Sequence, residues 1–263
     1  MRNKRLQGIF KMKILVIGDS CKDKYIYGLC DRMCPEAPVP VFQPVKEKSN
    51  MGMTGNVAAN VQSLGYECDI ITNDNTIEKI RYVDARTHQM IIRVDNHDYV
   101  DDKYKHDEKR LEGYDGIIIS DYDKGFLSEE DLELILKTDT PTFLQSNKLL
   151  GQWCLGADYI KLNEYEYQKT KHLLEDLYYS NYPGIDNKLI VTLGDKGCTF
   201  RNKEYPVTNK VEVRDVSGAG DTFLAAFTIS RLKNNDLDTS IKFAQECSAE
   251  VIQKHGVEVV TSK

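Results

Sequence analysis

Short apolar runs recur along the chain, at Lys13–Gly18, Cys68–Thr72, Gly116–Ser120, Thr142–Gln145, Tyr159–Leu162 and Leu189–Leu193. Several are continuous rather than alternating, the pattern of strands buried on both faces of a parallel sheet. Helical periodicity lies between them. It covers Thr54–Leu64 and Ser128–Lys137, the latter opening with Ser128 and Asp131 at capping-box spacing. Asn163–Ser180 holds one or two helices, and Gly218–Lys233 and Leu237–His255 two more. The alternation predicts an α/β fold of three layers, with a mostly parallel central sheet and helices on both faces.

Two stretches break that rhythm. Residues 23–48 carry Pro35, Pro38, Pro40 and Pro44, four prolines within ten positions. Residues 76–95 alternate polar and apolar in places, which predicts two or more exposed strands joined by a turn near Asp84–Thr87. Together they predict a small β lid beside the main domain. Prolines 38 and 40 favour edge segments over a central strand. The main domain is expected over 12–263, with residues 1–11 an N-terminal extension.

Composition narrows the function. The chain has 263 residues, 41% of them hydrophobic and 29% charged, and a net charge of −6. A chain of this length can bury about three quarters of its unfolded surface without disulfides or a structural metal. The acidic balance argues against a general nucleic-acid binder, which would carry a basic surplus. No apolar run approaches the roughly 18 residues of a membrane span. Seven scattered cysteines, at 21, 30, 34, 68, 154, 198 and 247, fit reduced thiols and a cytoplasmic location. The N-terminus lacks the apolar core and cleavage site of a signal peptide.

The strongest chemical signal is Asp215-Val-Ser-Gly218-Ala219-Gly220-Asp221-Thr-Phe, after a strand-like run and at the start of a predicted helix. Glycines flanking an alanine let the backbone turn tightly, so that the N–H groups of Gly218, Ala219 and Gly220 can converge at the positive end of a helix dipole. Such a hole suits the charge that develops on a transferring phosphoryl group. Asp221, in the first helical turn, can accept a proton from an attacking hydroxyl. Lys79, Arg81, Arg86 and Arg93 form a basic cluster in the lid of an acidic protein. They suit a sugar phosphate, or else form a solvated strand face.

These motifs resemble the ribokinase-like (PfkB) carbohydrate kinases. The resemblance implies ATP and Mg²⁺ as cofactors, with the GAGD segment as anion hole and Asp221 as catalytic base. Gly18-Asp19 matches the position of a sugar-binding acid. Gly52-Met-Thr-Gly55-Asn56 resembles the family's GGxxxN, which implies that Gly52 and Asn56 contact sugar hydroxyls. Asn163-Glu-Tyr-Glu166 resembles NxxE, which implies that Asn163 and Glu166 organise magnesium, Glu166 through water. Thr192-Leu-Gly194-Asp-Lys-Gly197 resembles the turn beside the nucleotide, and Asp215 joins that group. One subfamily, the heptose 7-phosphate kinases, is closer still. Pro35-Glu-Ala-Pro-Val-Pro40 looks like its PEAPVP, Ser120-Asp121-Tyr122-Asp-Lys124-Gly125 like its SDYxKG, and Thr76-Ile-Glu-Lys79-Ile-Arg81 like its TxxKxR. Asp121, Lys124, Lys79 and Arg81 are thereby implied in substrate binding.

The resemblance implies an ATP-dependent kinase acting on the anomeric hydroxyl of a heptose 7-phosphate. A kinase of another sugar, or a non-catalytic binding paralogue, stays open. Met53 replaces the second glycine of GG, which is expected to crowd the backbone against the sugar. Gln145 stands where the subfamily has an acid, while Lys148 remains, and Gln245 stands where it has asparagine. Between Thr72 and Thr76 the family carries a helix and a further strand that this chain lacks, so the sheet is expected to miss one unit at an edge. The resemblance spans only the kinase half of a bifunctional enzyme, so a separate nucleotidyltransferase is an expected partner. A homodimer through exposed lid edges is the expected assembly.

Overall fold

The computed structural model describes residues 12–74, 77–179, 185–201 and 203–261; the expected extension 1–11 lies outside them. The first strand β1 (Lys13–Gly18) leads into the long lid strands β2 (Ser20–Met33) and β3 (Pro40–Met53), then helix α1 (Thr54–Ser63) and β4 (Glu67–Ile71). The chain returns to the lid for β5 (Ile77–Asp84) and β6 (Met90–Asn96). The body resumes with β7 (Gly116–Asp121), α2 (Glu129–Ile135), β8 (Thr142–Ser146), β9 (Tyr159–Asn163) and α3 (Glu164–Tyr179). It closes with β10 (Leu189–Thr192), β11 (Cys198–Phe200), β12 (Lys203–Tyr205), α4 (Ala219–Leu232) and α5 (Leu237–Val251).

The body sheet runs β12-β11-β10-β9-β8-β7-β1-β4. Its strands are parallel from β10 through β4, and β11 and β12 add an antiparallel hairpin at the far edge. The continuous apolar runs of β1, β7 and β8 are buried on both faces as their composition requires, whereas β4, at the sheet edge, is largely exposed. In β1, Leu15 and Ile17 enter one core and Ile14 and Val16 the other. The first core includes Leu132 and Ile135 of α2 and Leu174 of α3; the second packs α1, α4 and α5. Helix α4 is apolar nearly all round and is buried from Asp221 to Ser230, as a helix caged by a sheet and two other helices must be. β4 is the opposite edge of the sheet, and the chain passes from it directly towards the lid, at the position where the family pattern has an additional helix and strand.

The lid is a separate sheet of order β3-β2-β5-β6. Proline behaves as its chemistry dictates: Pro40 starts β3, which is an edge strand, and Pro44 sits at a register shift. The segment 34–39, which holds most of PEAPVP, forms the tip of the long hairpin, closed by Cys34 N–H donating to the Val39 carbonyl at 2.8 Å. Two expectations change. The run before Asp215 is not a strand; Val207, Val211 and Val213 line a cavity instead of facing a neighbouring strand. The short β11–β12 hairpin has too few residues to leave a periodic signal.

Ser128 and Asp131 form the expected capping box, Ser128 Oγ accepting from Asp131 N–H at 3.1 Å. Phe227 is the pivot of the second core, 5.1 Å from the Tyr159 ring and 6.1 Å from Phe143. Phe227→Ala is expected to cost about 3–5 kcal/mol, measured as a lower urea midpoint. Val213→Ala, at a half-exposed loop position, is expected to stay within about 0.5 kcal/mol.

Candidate active site

The carboxyl ends of β1, β7, β8, β9 and β10 open towards the lid, which is where an α/β sheet binds ligands. The N-terminus of α4 points into this crevice. Gly218 is its N-cap at φ 79°, a left-handed conformation, and a Cβ there would lie 2.6 Å from Asn56 Nδ2, so the position requires glycine. Ala219 N–H is committed to the turn, donating to the Val216 carbonyl at 3.2 Å, so it does not join the hole as expected. The remaining first-turn amides include that of Gly220.

Asp221 is 4% exposed. Asn56 Nδ2 donates to its Oδ2 at 3.0 Å, and the Tyr122 hydroxyl donates to its Oδ1 at 2.5 Å. Burial pushes the Asp221 carboxyl above its ordinary value, while these two donors and the Lys161 cation pull it back. Lys161 is also buried, with its ammonium against Gly220 and donating to Gln145 Oε1 at 2.9 Å. Burial lowers its pKa. Neither Lys161 nor Tyr122 was singled out in the sequence; their signal was a lysine inside an apolar strand and a tyrosine at a strand's carboxyl end.

The turn after β7 corrects three expectations. Asp19 does not face the crevice. Its carboxylate accepts from the backbone N–H groups of Tyr122 (2.8 Å), Lys124 (3.4 Å) and Phe126 (3.2 Å). Asp121 is fully buried and holds the Ser146 hydroxyl at 2.5 Å and Lys148 Nζ at 3.0 Å. Burial raises its pKa against the pull of Lys148. Lys124 reaches outward to Asp98 at 2.6 Å. Asp19 and Asp121 build the turn, because a sharp turn of buried backbone needs acceptors for its N–H groups, and Lys124 ties its outer side to Asp98. What the turn presents is Tyr122.

The acid that does face the crevice is Asp23, four residues further along β2 and on the same strand face as Cys21 and Tyr25. It is buried and ion-paired with Arg81 of β5, whose guanidinium lies 5.0 Å over the Tyr25 ring. Its carboxylate presses so closely on Gly52 that a side chain there would collide with it. Period-2 spacing along β2 puts Asp23 on one face with Cys21 and Tyr25 but does not tell which face meets the crevice. Lys79 shares that face, with Nζ 5.9 Å over the Tyr122 ring. Burial pushes the Cys21 thiol up to about 12, so it remains protonated. Arg93 lies opposite Arg81 and pairs with Asp95, whereas Arg86 sits in the turn and pairs with Asp31. Met53 adopts φ 56°, ψ −131°, and its side chain is buried in the core, so the strain is in the backbone.

The lid is strapped to the body by residues 255–258. His255 contacts His88 at 4.4 Å between ring centroids, Val257 accepts from Asn50 and Glu258 pairs with Lys48. Asp215 braces this strap, accepting from Gly256 N–H at 3.1 Å and from Ser217 N–H at 2.8 Å.

On the other side of Gly220 lies a mainly apolar cavity of about 400 Å³. Its lining includes Thr192, Gly194, Gly197, Phe223, Gln245 and Ala249. Asn163 and Glu166 cap α3 reciprocally: Asn163 Nδ2 donates to Glu166 Oε1 at 2.6 Å, and Glu166 N–H donates to Asn163 Oδ1 at 2.8 Å. The apolar cavity, the amide-lined helix end and the polar crevice therefore lie in sequence.

The sequence model of the pfkB family of carbohydrate kinases matches residues 68–263. The chain belongs to that family. It is 31% identical over 304 aligned positions to the bifunctional protein HldE of Helicobacter acinonychis, covering 93% of this chain and 63% of that one. The aligned span exceeds the chain's own length, so the relative carries segments this pfkB kinase lacks. Among solved structures, ribokinase from Thermotoga maritima superposes with a TM-score of 0.68 at 18% identity, covering 94% of this chain and 95% of that one. Ribokinase from Arabidopsis thaliana complexed with ribose and ATP gives 0.69 at 15% identity, covering 94% of each chain. The fold of this pfkB kinase is thus ribokinase-like, and it is a sugar kinase.

Arg81→Ala would leave the buried Asp23 charge unpaired and is expected to cost about 3 kcal/mol in urea unfolding. Arg86→Ala breaks a pair that is 60% exposed on the arginine side, and is expected to cost under about 1 kcal/mol.

Proposed function

We propose that this kinase transfers the γ-phosphoryl group of ATP to the anomeric hydroxyl of a heptose 7-phosphate. The observation that carries the reading is Asp221, a buried carboxylate held by two donors at a helix N-terminus beside Gly220 and Lys161. Asp221 takes the proton of the acceptor hydroxyl as its oxygen bonds to the γ-phosphorus and the bond to the β,γ-bridging oxygen breaks, releasing ADP. The first-turn amide of Gly220 and the Lys161 ammonium face the charge on the phosphoryl group in flight. Asn56 and Asp23 orient the sugar, Gly52 lets it approach, and Lys79 and Arg81 bring positive charge to a phosphorylated acceptor. The apolar cavity suits the nucleoside, with Thr192, Gly194 and Gly197 along its wall.

Among the described residues no group of three or more His, Cys, Asp or Glu could hold a metal unaided. An ion that arrives on phosphates and keeps its waters needs only one or two protein oxygens, and Glu166, braced by Asn163, fits as a water-mediated contact. Mg²⁺, when bound, supplies neutralisation of the phosphate charge.

The heptose assignment rests on the PEAPVP and SDYxKG segments and on the resemblance to HldE, of whose length the chain spans 63%. The strained Met53 and the neutral Gln145 favour a second reading, in which the acceptor is another sugar phosphate. An ATP-dependent step and seven cysteines present as thiols suit the cytoplasm. No helix among the described residues is long and apolar enough to cross a membrane. If the product is the 1,7-bisphosphate of HldE-like chemistry, a nucleotidyltransferase completes the sequence as a partner.

The outer face of the lid carries Ile92 and Val94 of β6 beside Ile80 and Tyr82 of β5, with Ile92 55% exposed. This face is the proposed dimer interface. Light scattering is expected to give twice the chain mass, and Ile92→Glu the mass of one chain; a monomeric parent protein rules the interface out.

ADP release is to be measured with Mg²⁺-ATP and D-glycero-D-manno-heptose 7-phosphate, beside ribose, fructose and their phosphates. Asp221→Asn is expected to lower kcat by about 10²–10⁴. Unchanged turnover in that variant defeats the base assignment. Lys161→Met is expected to lower kcat by about 10² and to lower the unfolding midpoint, because Gln145 Oε1 loses its donor and the buried Asp221 its nearby cation.

A further inference from the structure

Tyr122 binds none of the ligands in the scheme above, yet it is what the turn after β7 delivers to the base. Its hydroxyl lies 2.5 Å from Asp221 Oδ1, while Asn56 occupies Oδ2 from the opposite side. Two donors on different oxygens fix both the rotamer and the plane of a carboxylate, and each oxygen keeps a lone pair for the acceptor hydroxyl.

The direction of this hydrogen bond is imposed from behind. Lys161 Nζ can only donate, and it donates to Gln145 Oε1. That leaves the Gln145 amide NH₂ as the free end, and while burial pushes the Tyr122 phenol well up, a hydrogen bond with Gln145 draws it back. The phenol's single proton is thereby turned to Asp221. An acid at 145 would instead compete with Asp221 for that proton, so the neutral glutamine gives the chain Lys161–Gln145–Tyr122–Asp221 one direction.

We propose that Tyr122 is a positioning residue for phosphoryl transfer: its hydroxyl aims Asp221 at the acceptor and holds it in the ionised form. The proposal rests on Asp221 being the base. The groups that face Asp221 are Asn56 from α1, Tyr122 from the turn after β7, Lys161 from β9, and Cys21 and Asp23 from β2. Burial raises the carboxyl's pKa and Asp23 raises it further, whereas Asn56, Tyr122 and Lys161 lower it. Losing the tyrosine donor therefore moves the Asp221 midpoint up, and activity fades at higher pH than in the parent protein.

The test follows the carboxyl directly. The protein is labelled with ¹³Cγ-aspartate, and the Asp221 resonance is identified by its loss in Asp221→Asn. It is then titrated without substrate in the parent protein, in Tyr122→Phe and with 3-fluorotyrosine at position 122. The phenylalanine variant is expected to raise the midpoint by about one pH unit, the scale of one hydrogen bond to a charged group. Fluorotyrosine, a stronger donor that preserves the shape, is expected to lower it, and it carries the test if the phenylalanine variant does not fold. The acid limb of kcat against pH is expected to move in the same directions. Equal midpoints in all folded proteins, with Asp221→Asn inactive, overturn the role of Tyr122 and leave the base assignment standing. Full turnover by Asp221→Asn overturns the base assignment and this proposal with it.

Discussion

The structure is organised around one carboxylate, Asp221, buried where water is nearly absent. Burying an unpaired carboxylate costs several kcal/mol, and the usual escape is to take up a proton. Asp221 is held back from that by partners from three different elements: Asn56 from α1, Tyr122 from the turn after β7 and Lys161 from β9. Each must arrive within ångströms of the others, so the sheet order, the packing of α4 on α1 and the left-handed Gly218 are all conditions of the same small constellation. The helix dipole adds its positive end at the same place.

Acidic residues in this region divide into two kinds that look alike in a sequence. Asp19 and Asp121 use their oxygens on backbone amides, a serine and a lysine, and hold a turn. Asp23 and Asp221 face the crevice, held by side chains of other elements. The first kind sets geometry, and the second is left at the crevice wall. The separation is physical: a carboxylate that already accepts three backbone N–H bonds has little capacity left for a sugar.

The body of the fold was legible because doubly buried strands leave unbroken apolar runs, and all six of those noted correspond to strands of the parallel sheet. The lid was legible from its prolines and alternation, though its strands extend past both expected segments, since β2 and β3 continue into the body at Ser20 and Met53. The GAGD segment announced a helix start through glycine and acid chemistry. What could not be read was which polar side chains face the crevice. Asp19 and Asp23 differ there only through the direction of a strand, and Lys161 reads as an ordinary interruption of an apolar run until Gly220 is folded over it. The valines before Asp215 misled for the complementary reason: an apolar alternation can line a cavity as well as a sheet.

The strap at 255–258 has a thermodynamic consequence. Its contacts with the lid and the bonds of Ile252 to Arg214 and Asp215 belong to one short stretch that leaves α5, and Ile252 also lines the apolar cavity. The lid cannot swing away while His255, Val257 and Glu258 keep their partners, and those residues cannot let go without loosening the wall of the cavity. Occupancy of the cavity and closure of the lid thus draw on a common free energy, and by reciprocity whatever steadies one favours the other. The two halves of the crevice share a single short loop, which meets the lid through His255, Val257 and Glu258 and the cavity wall through Ile252.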